Sequence, residues 1–198
     1  MVKTYIEKKN ELLQLAKEDY FFTNNSLQNN VPFYIFSYPP EEELKVRKLA
    51  EDFKTEIENR WHNSVNINLY EMILEILTTD SNLTKEDYID AEKENWFEYL
   101  IDNAIPWILS DDAVEDKFFE KASWADLICI SNIWTVRPFL RAHLLLNRLA
   151  SSNYINKNTK IVFFYPWEYK KNEKWQRFLS LFSEFSEWWY YRASAICE

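Results

Sequence analysis

Three arginines, one histidine and one asparagine stand at helical spacing within "ISNIWTVRPFLRAHLLLNRLA", residues Ile130 to Ala150. At 100° per residue, Arg137, Arg141 and Arg148 project at about 0°, 40° and 20°, one narrow stripe. Guanidinium groups aligned in this way can clamp a phosphate or carboxylate bidentately, or meet an acidic partner. His143 and Asn147, four residues apart, share a second face. Phe139, Leu140, Ala142, Leu144, Leu145, Leu146 and Leu149 fill the rest of the circle, so the helix is expected to be buried except along its arginine edge. A buried His–Asn pair needs hydrogen-bond partners, because an unsatisfied polar group costs about 1–3 kcal/mol. Bonding to the backbone of neighbouring loops is the ordinary use of such a pair, and contact with a ligand is the sharper one. Pro138 suits the first helical position, where its missing N–H costs nothing.

The elements that must position this helix alternate along the chain. Residues 2–18 carry Ile6, Leu12, Leu13 and Ala16 at helical spacing. "VPFYIFSY", Val31 to Tyr38, is a nearly continuous apolar strand of the kind buried on both faces. A helix beginning near Pro40 follows, with Val46, Ala50, Phe53, Ile57 and Trp61 along one side. "VNINLY" reads as a second strand, with "EMILEILTT" turning helical after it. Acidic helices are expected over about 84–103 and 111–122. "ADLICISNI" is a third strand and "KIVFFYP" a fourth. A short helix around Trp175 to Phe185 precedes a last strand, Tyr190 to Ile196. The expectation is a single α/β domain, residues 1–198, with a mainly parallel five-stranded sheet and helices on both faces. Ligands of such folds sit beyond the carboxyl ends of the strands.

The 198 residues include no glycine at all. At average usage a chain of this length would lack it about once in a million draws. A Walker A loop, a dinucleotide fingerprint and a kinase glycine-rich loop all require glycine for close approach to phosphate, so none can be present. A serine in a nucleophile elbow is excluded on the same ground. The two histidines, His62 and His143, lie far apart, and Cys129 and Cys197 have no metal-ligand spacing. No cofactor, metal or catalytic constellation is expected. Of the 32 acidic residues, runs such as "EEEL" and "SDDAVED" suit helix N-termini. No transmembrane run or signal peptide is read, and the compartment expected is the cytosol.

Charge is unevenly spread. Residues 1–133 carry net −14 and residues 134–198 net +5, within an overall −9. Such bipolarity favours an oriented protein partner, and ten basic residues over the last 65 are too dilute for a duplex-binding face. "FSEFSEWWYYRAS" packs Phe182, Phe185, Trp188, Trp189, Tyr190 and Tyr191 beside Arg192. Tryptophan, tyrosine and arginine are the residues that dominate interface hot spots, although some of these aromatics must also fill the core. Arg137, Arg141, His143, Asn147, Arg148, Trp188, Trp189, Tyr191 and Arg192 are therefore the candidates for binding a partner or an anion. Glu168 and Lys170 offer a weaker acid–x–lysine match to a nuclease.

The order of "VPFYIFSYPPEEELKVR", "VNINLYEMI", "ISNIWTVRPFLRAHLLLNRL", "IVFFYPWEY" and the terminal "YYRA" resembles the BrxB family of bacteriophage-exclusion (BREX) systems, over roughly residues 1–196. The most specific blocks are "RPFLRAHLLLN" and the pairing of "FFYP" with "YYRA". The resemblance implies a non-enzymatic, cytoplasmic adaptor in a phage-defence assembly, with PglZ as direct partner, other BREX components nearby, and no contact with membrane. Direct nucleic-acid binding is not expected. The alternative is a degenerate phosphate, nucleotide or nucleic-acid site built from Arg137, Arg141, His143 and Arg192. Two turns depart from the family pattern. Where the family has glycines after the third strand this chain has Asn132 and Trp134, and Trp167 stands in place of the glycine in Tyr-Pro-Gly. Asparagine tolerates a left-handed backbone, whereas tryptophan adopts it at a cost.

Overall fold

The computed structural model describes residues 3–23, 33–80, 83–93, 105–109, 111–136, 140, 145, 148–149, 158–166, 168–171, 177–181, 185–187 and 193–196. Helix α1 (Tyr5–Ala16) opens with a capping box, in which the Thr4 hydroxyl accepts from the Glu7 N–H and the Glu7 carboxylate accepts from the Thr4 N–H. A short α2 (Tyr20–Thr23) and strand β1 (Phe33–Ser37) follow. Pro40–Glu42 forms a 3-10 turn leading into α3 (Glu43–Glu58). Next come β2 (Ser64–Asn68), α4 (Leu69–Asp80), α5 (Lys85–Lys93), α6 (Ile105–Ile108), α7 (Asp111–Ala122), β3 (Leu127–Ser131) and β4 (Lys160–Tyr165). The expected second strand thus stops short of Leu69 and Tyr70, which already belong to α4.

The sheet runs in the order β2-β3-β4-β1, and every pairing is parallel. A three-residue strand, β8 (Ala193–Ala195), adds in parallel to the free side of β1. Four strands of five or six residues therefore make the body of the sheet. The fifth strand expected over Tyr190 to Ile196 shrinks to this short segment at the edge.

Side-chain alternation along the strands divides the core in two. Phe33 and Ile35, Ile128 and Ile130, and Ile161 and Phe163 point to one face, where α4, α6 and α7 pack. Phe36, Leu127, Cys129, Val162 and Phe164 point to the other, under α1 and α3. Helices thus cover both faces, as near-continuous apolar strands require. From β1 the chain crosses to the far edge through α3, then steps back through β2, β3 and β4 with its helices on the opposite face. Reversing direction and changing face together keeps each crossover right-handed.

The last part of the chain departs from expectation. Within the helix read around Trp175 to Phe185, the described residues 177–181 and 185 instead belong to a three-stranded antiparallel sheet of β5 (Glu168–Lys171), β6 (Arg177–Leu181) and β7 (Phe185–Glu187). "LSL" at Leu179 to Leu181 alternates with a period of two, and antiparallel neighbours decide such ambiguous runs in favour of strands. Trp61 is a second correction. It was placed on the apolar side of α3, yet the helix ends at Glu58 and the following turn leaves the indole 96% exposed.

Candidate functional site at the carboxyl ends of the strands

The carboxyl ends of β1, β4 and β3 lie side by side, and two helices bring polar side chains to them. From β1, Ser37 and Tyr38 are buried, and the Tyr38 N–H donates to the Tyr165 carbonyl at the end of β4 (3.1 Å). Lys8 of α1 reaches over the edge and donates to the Ser37 carbonyl (3.0 Å) and hydroxyl (3.3 Å). Glu43, the first residue of α3, lies where the helix dipole favours a carboxylate. Its Oε2 accepts from the Tyr38 hydroxyl at 2.5 Å, and its Oε1 accepts from Arg47 Nε at 3.0 Å. Arg47, one turn further on, also donates to Asn132 Oδ1 at 2.7 Å.

Asn132 ends β3 with φ 57°, a left-handed conformation. Asparagine was the residue expected to tolerate that backbone where glycine is absent, and Trp134 two residues later has no positive φ. Arg47 therefore spans the end of β4 and ties the start of α3 to the turn after β3. Burial, followed by the bond to Glu43, pushes the Tyr38 hydroxyl far above the usual tyrosine range. It remains a proton donor at any physiological pH and cannot serve as a base. Burial likewise pushes the Cys129 thiol well up, so no thiolate nucleophile is available there.

This network has a chemical consequence. In doubly wound folds the helix N-terminus at the strand ends receives a ligand's phosphate. At the start of α3 the Glu43 carboxylate is engaged by the chain's own Tyr38 and Arg47, and no side chain caps the helix. The arrangement is a self-satisfied brace between loops.

Most residues singled out from the sequence lie outside the described residues: Arg137, Arg141, His143, Asn147, Trp188, Trp189, Tyr191 and Arg192. Trp167 does as well. Around them, Val136, Leu140, Leu145 and Leu149 are buried against the sheet, and the Leu140 N–H donates to the Val136 carbonyl (2.8 Å). The apolar side of that segment thus packs as its composition requires. Arg148 is half-buried, with one guanidinium nitrogen shielded from solvent, rather than standing on an exposed edge. Glu168 and Lys170 fall on β5, opposite Ser180 and Phe178 of β6. Among the described residues no group of three or more His, Cys, Asp or Glu is placed to hold a metal ion, and no helix is long and apolar enough to cross a membrane.

Sequence reasoning missed the Tyr38–Glu43–Arg47–Asn132 network. The Glu43–Arg47 pair was legible as an (i, i+4) pair on a helix. Asn132, 85 positions from Arg47, left no local signal.

The fold and the site together define an open α/β protein with a parallel sheet whose strand ends are braced by its own side chains. Residues 65–196 match the family model described as "BREX protein BrxB", and the chain belongs to that family. It is 29% identical over 193 residues to a BREX protein BrxB of Bacillus cereus (strain H3081.97), covering 94% of each chain. A BREX protein BrxB of Escherichia coli O9:H4 (strain HS) is 25% identical over 154 residues, 77% of this chain and 74% of the relative. No solved structure matches.

Proposed function

We propose that this chain is a non-enzymatic adaptor of a BREX phage-defence assembly, acting in the cytoplasm and docking a larger component, PglZ, through its basic C-terminal third. Family membership supports the assembly. The absence of glycine carries the non-enzymatic reading, because the usual phosphate loops need it, and the engagement of the Glu43 carboxylate by Tyr38 and Arg47 at the strand ends supports it. The net +5 of residues 134–198 and the aromatic run before Arg192 support the docking face. Co-purification with PglZ, followed by titration calorimetry in low and moderate salt, tests it. Arg141→Glu is expected to slow association, and Trp189→Ala to weaken binding by about 2 kcal/mol or more. Failure to co-purify, or ATP, GTP or phosphoester hydrolysis that disappears on Arg141→Ala or His143→Ala, overturns the proposal.

A further inference from the structure

The amino-terminal end of the sheet presents a feature that the strand-end network does not use. β2 and β3 pair with Ser64 opposite Leu127, so the loops entering them are neighbours. They are also tied to each other: the Asn63 N–H donates to Asp126 Oδ2 (2.9 Å), and the Asp126 and Leu127 N–H groups donate to the Asn63 carbonyl (2.8 and 3.1 Å). The loop entering β4 joins the same ladder, with the Lys160 N–H on the Asp126 carbonyl (2.8 Å) and the Thr159 hydroxyl on the Ala125 carbonyl (3.1 Å). This end of the sheet is therefore held rigid.

Two indoles flank the tie. Trp61, arriving from α3, is 96% exposed, and Trp124, arriving from α7, is 56% exposed. Trp61 also has φ 67°, a left-handed backbone that costs a bulky residue about 1–2 kcal/mol. Neither core packing nor turn chemistry accounts for a tryptophan in that position. The Asp126 side chain, two residues after Trp124, is half exposed; its Oδ2 accepts from Asn63 and lies 3.8 Å from His62 Nδ1, which leaves Oδ1 for a partner. Besides His62, which stacks on Phe22 beside Asp126, the nearby basic groups of α3 are engaged elsewhere, Arg60 with Asp19 and the Lys17 carbonyl, and Lys54 with Glu58. The first 133 residues, which include both tryptophans and Asp126, carry net −14, so this part of the chain as a whole favours a positive partner.

We propose that Trp61, Asp126 and Trp124 form a docking surface for an arginine-bearing segment of a partner protein, its guanidinium stacking on indole and pairing with the Asp126 carboxylate. Arginine fits better than lysine because its planar, weakly hydrated head stacks on aromatic faces and pairs with a carboxylate in the same plane. The surface lies at the opposite end of the sheet from the Arg47–Asn132 brace and outside the C-terminal third. It therefore stands or falls independently of the PglZ proposal, and would give an adaptor a second face.

Octa-arginine and octa-lysine peptides, titrated calorimetrically into the full chain at physiological salt, test the proposal. Octa-arginine is expected to bind about fivefold or more tighter than octa-lysine, and Trp61→Ala or Trp124→Ala to remove most of that difference. Asp126→Asn, which keeps the acceptor for Asn63 and removes the charge, is expected to weaken both peptides. A thermal melt of each variant establishes that it is folded, and both tryptophans are exposed enough for truncation to spare the core. Equal affinity for the two peptides, or an arginine preference unchanged by both tryptophan variants, overturns the proposal. So does self-association in sedimentation that Trp61→Ala abolishes, which would assign the patch to a second copy. Binding of an oligothymidylate that Trp61→Ala abolishes overturns it in favour of base stacking.

Discussion

Replacing Asn132 separates two contributions that meet at one residue. Its backbone sits at φ 57° and its side chain accepts from Arg47 at 2.7 Å. Asn132→Ala removes the hydrogen bond and leaves a Cβ in the left-handed region without a polar side chain to stabilise it. The bond is to a guanidinium that is 52% exposed, so its net worth is about 0.5–1 kcal/mol. Left-handed backbone costs an ordinary residue about 1–2 kcal/mol, and asparagine less than alanine. Together Asn132→Ala should cost about 1.5–2.5 kcal/mol by these terms. Asn132→Gly loses the same hydrogen bond but adopts the backbone freely, so it should cost about 1 kcal/mol or less. Arg47→Gln also loses the bond to Glu43 and should cost somewhat more than the glycine variant, and combining it with Asn132→Ala should be less than additive because the two residues share one bond. Urea denaturation followed by far-ultraviolet circular dichroism reads these differences, and in a chain of this size 1 kcal/mol corresponds to about 2–4 °C in Tm. Alanine and glycine variants of equal stability would refute the backbone part of the reasoning. Strict additivity with Arg47→Gln would refute the brace.

Two further outcomes follow from buried groups. Lys160 begins β4 fully buried, its ammonium has no hydrogen-bond partner among the described residues, and burial lowers its pKa below the ordinary 10.5. Because the folded state holds this proton less tightly than the unfolded state, stability rises with pH from the depressed folded value up to about 10.5 and is lowest below that window. Lys160→Met should stabilise the protein at neutral pH by on the order of 1 kcal/mol and flatten that alkaline rise in pH-dependent urea melts; a destabilised variant with the rise intact would contradict this. Cys129 is buried in the sheet with its thiol pushed up, so a thiol reagent should modify it only as the core opens; rapid labelling in native buffer in a Cys197→Ser background would show that β3 opens readily.

The sequence by itself determined the layering. Runs such as "FYIFS" and "LICIS" are apolar on both sides, which leaves a parallel sheet between two helical layers as the place for them. The amphipathic stripe of Val46, Ala50, Phe53 and Ile57 placed α3 on one of those layers, and the absence of glycine excluded the phosphate loops. The family resemblance, with Asn132 standing where the family has glycine, pointed to a left-handed turn after β3, because few residues other than glycine and asparagine accept that backbone. Tertiary structure decided the rest. Strand order depends on which apolar faces meet, and each interior strand offers the same pattern to any neighbour. Residues 177–181 satisfy helix and strand patterns about equally, so their antiparallel partners settled the matter. Trp61 falls in phase with the apolar stripe of α3 and would be core in a longer helix, but the chain turns one residue after Glu58 to reach β2. Arg47 meets Asn132 only because β1, β4 and β3 lie side by side, a juxtaposition across 85 residues that no local spacing encodes.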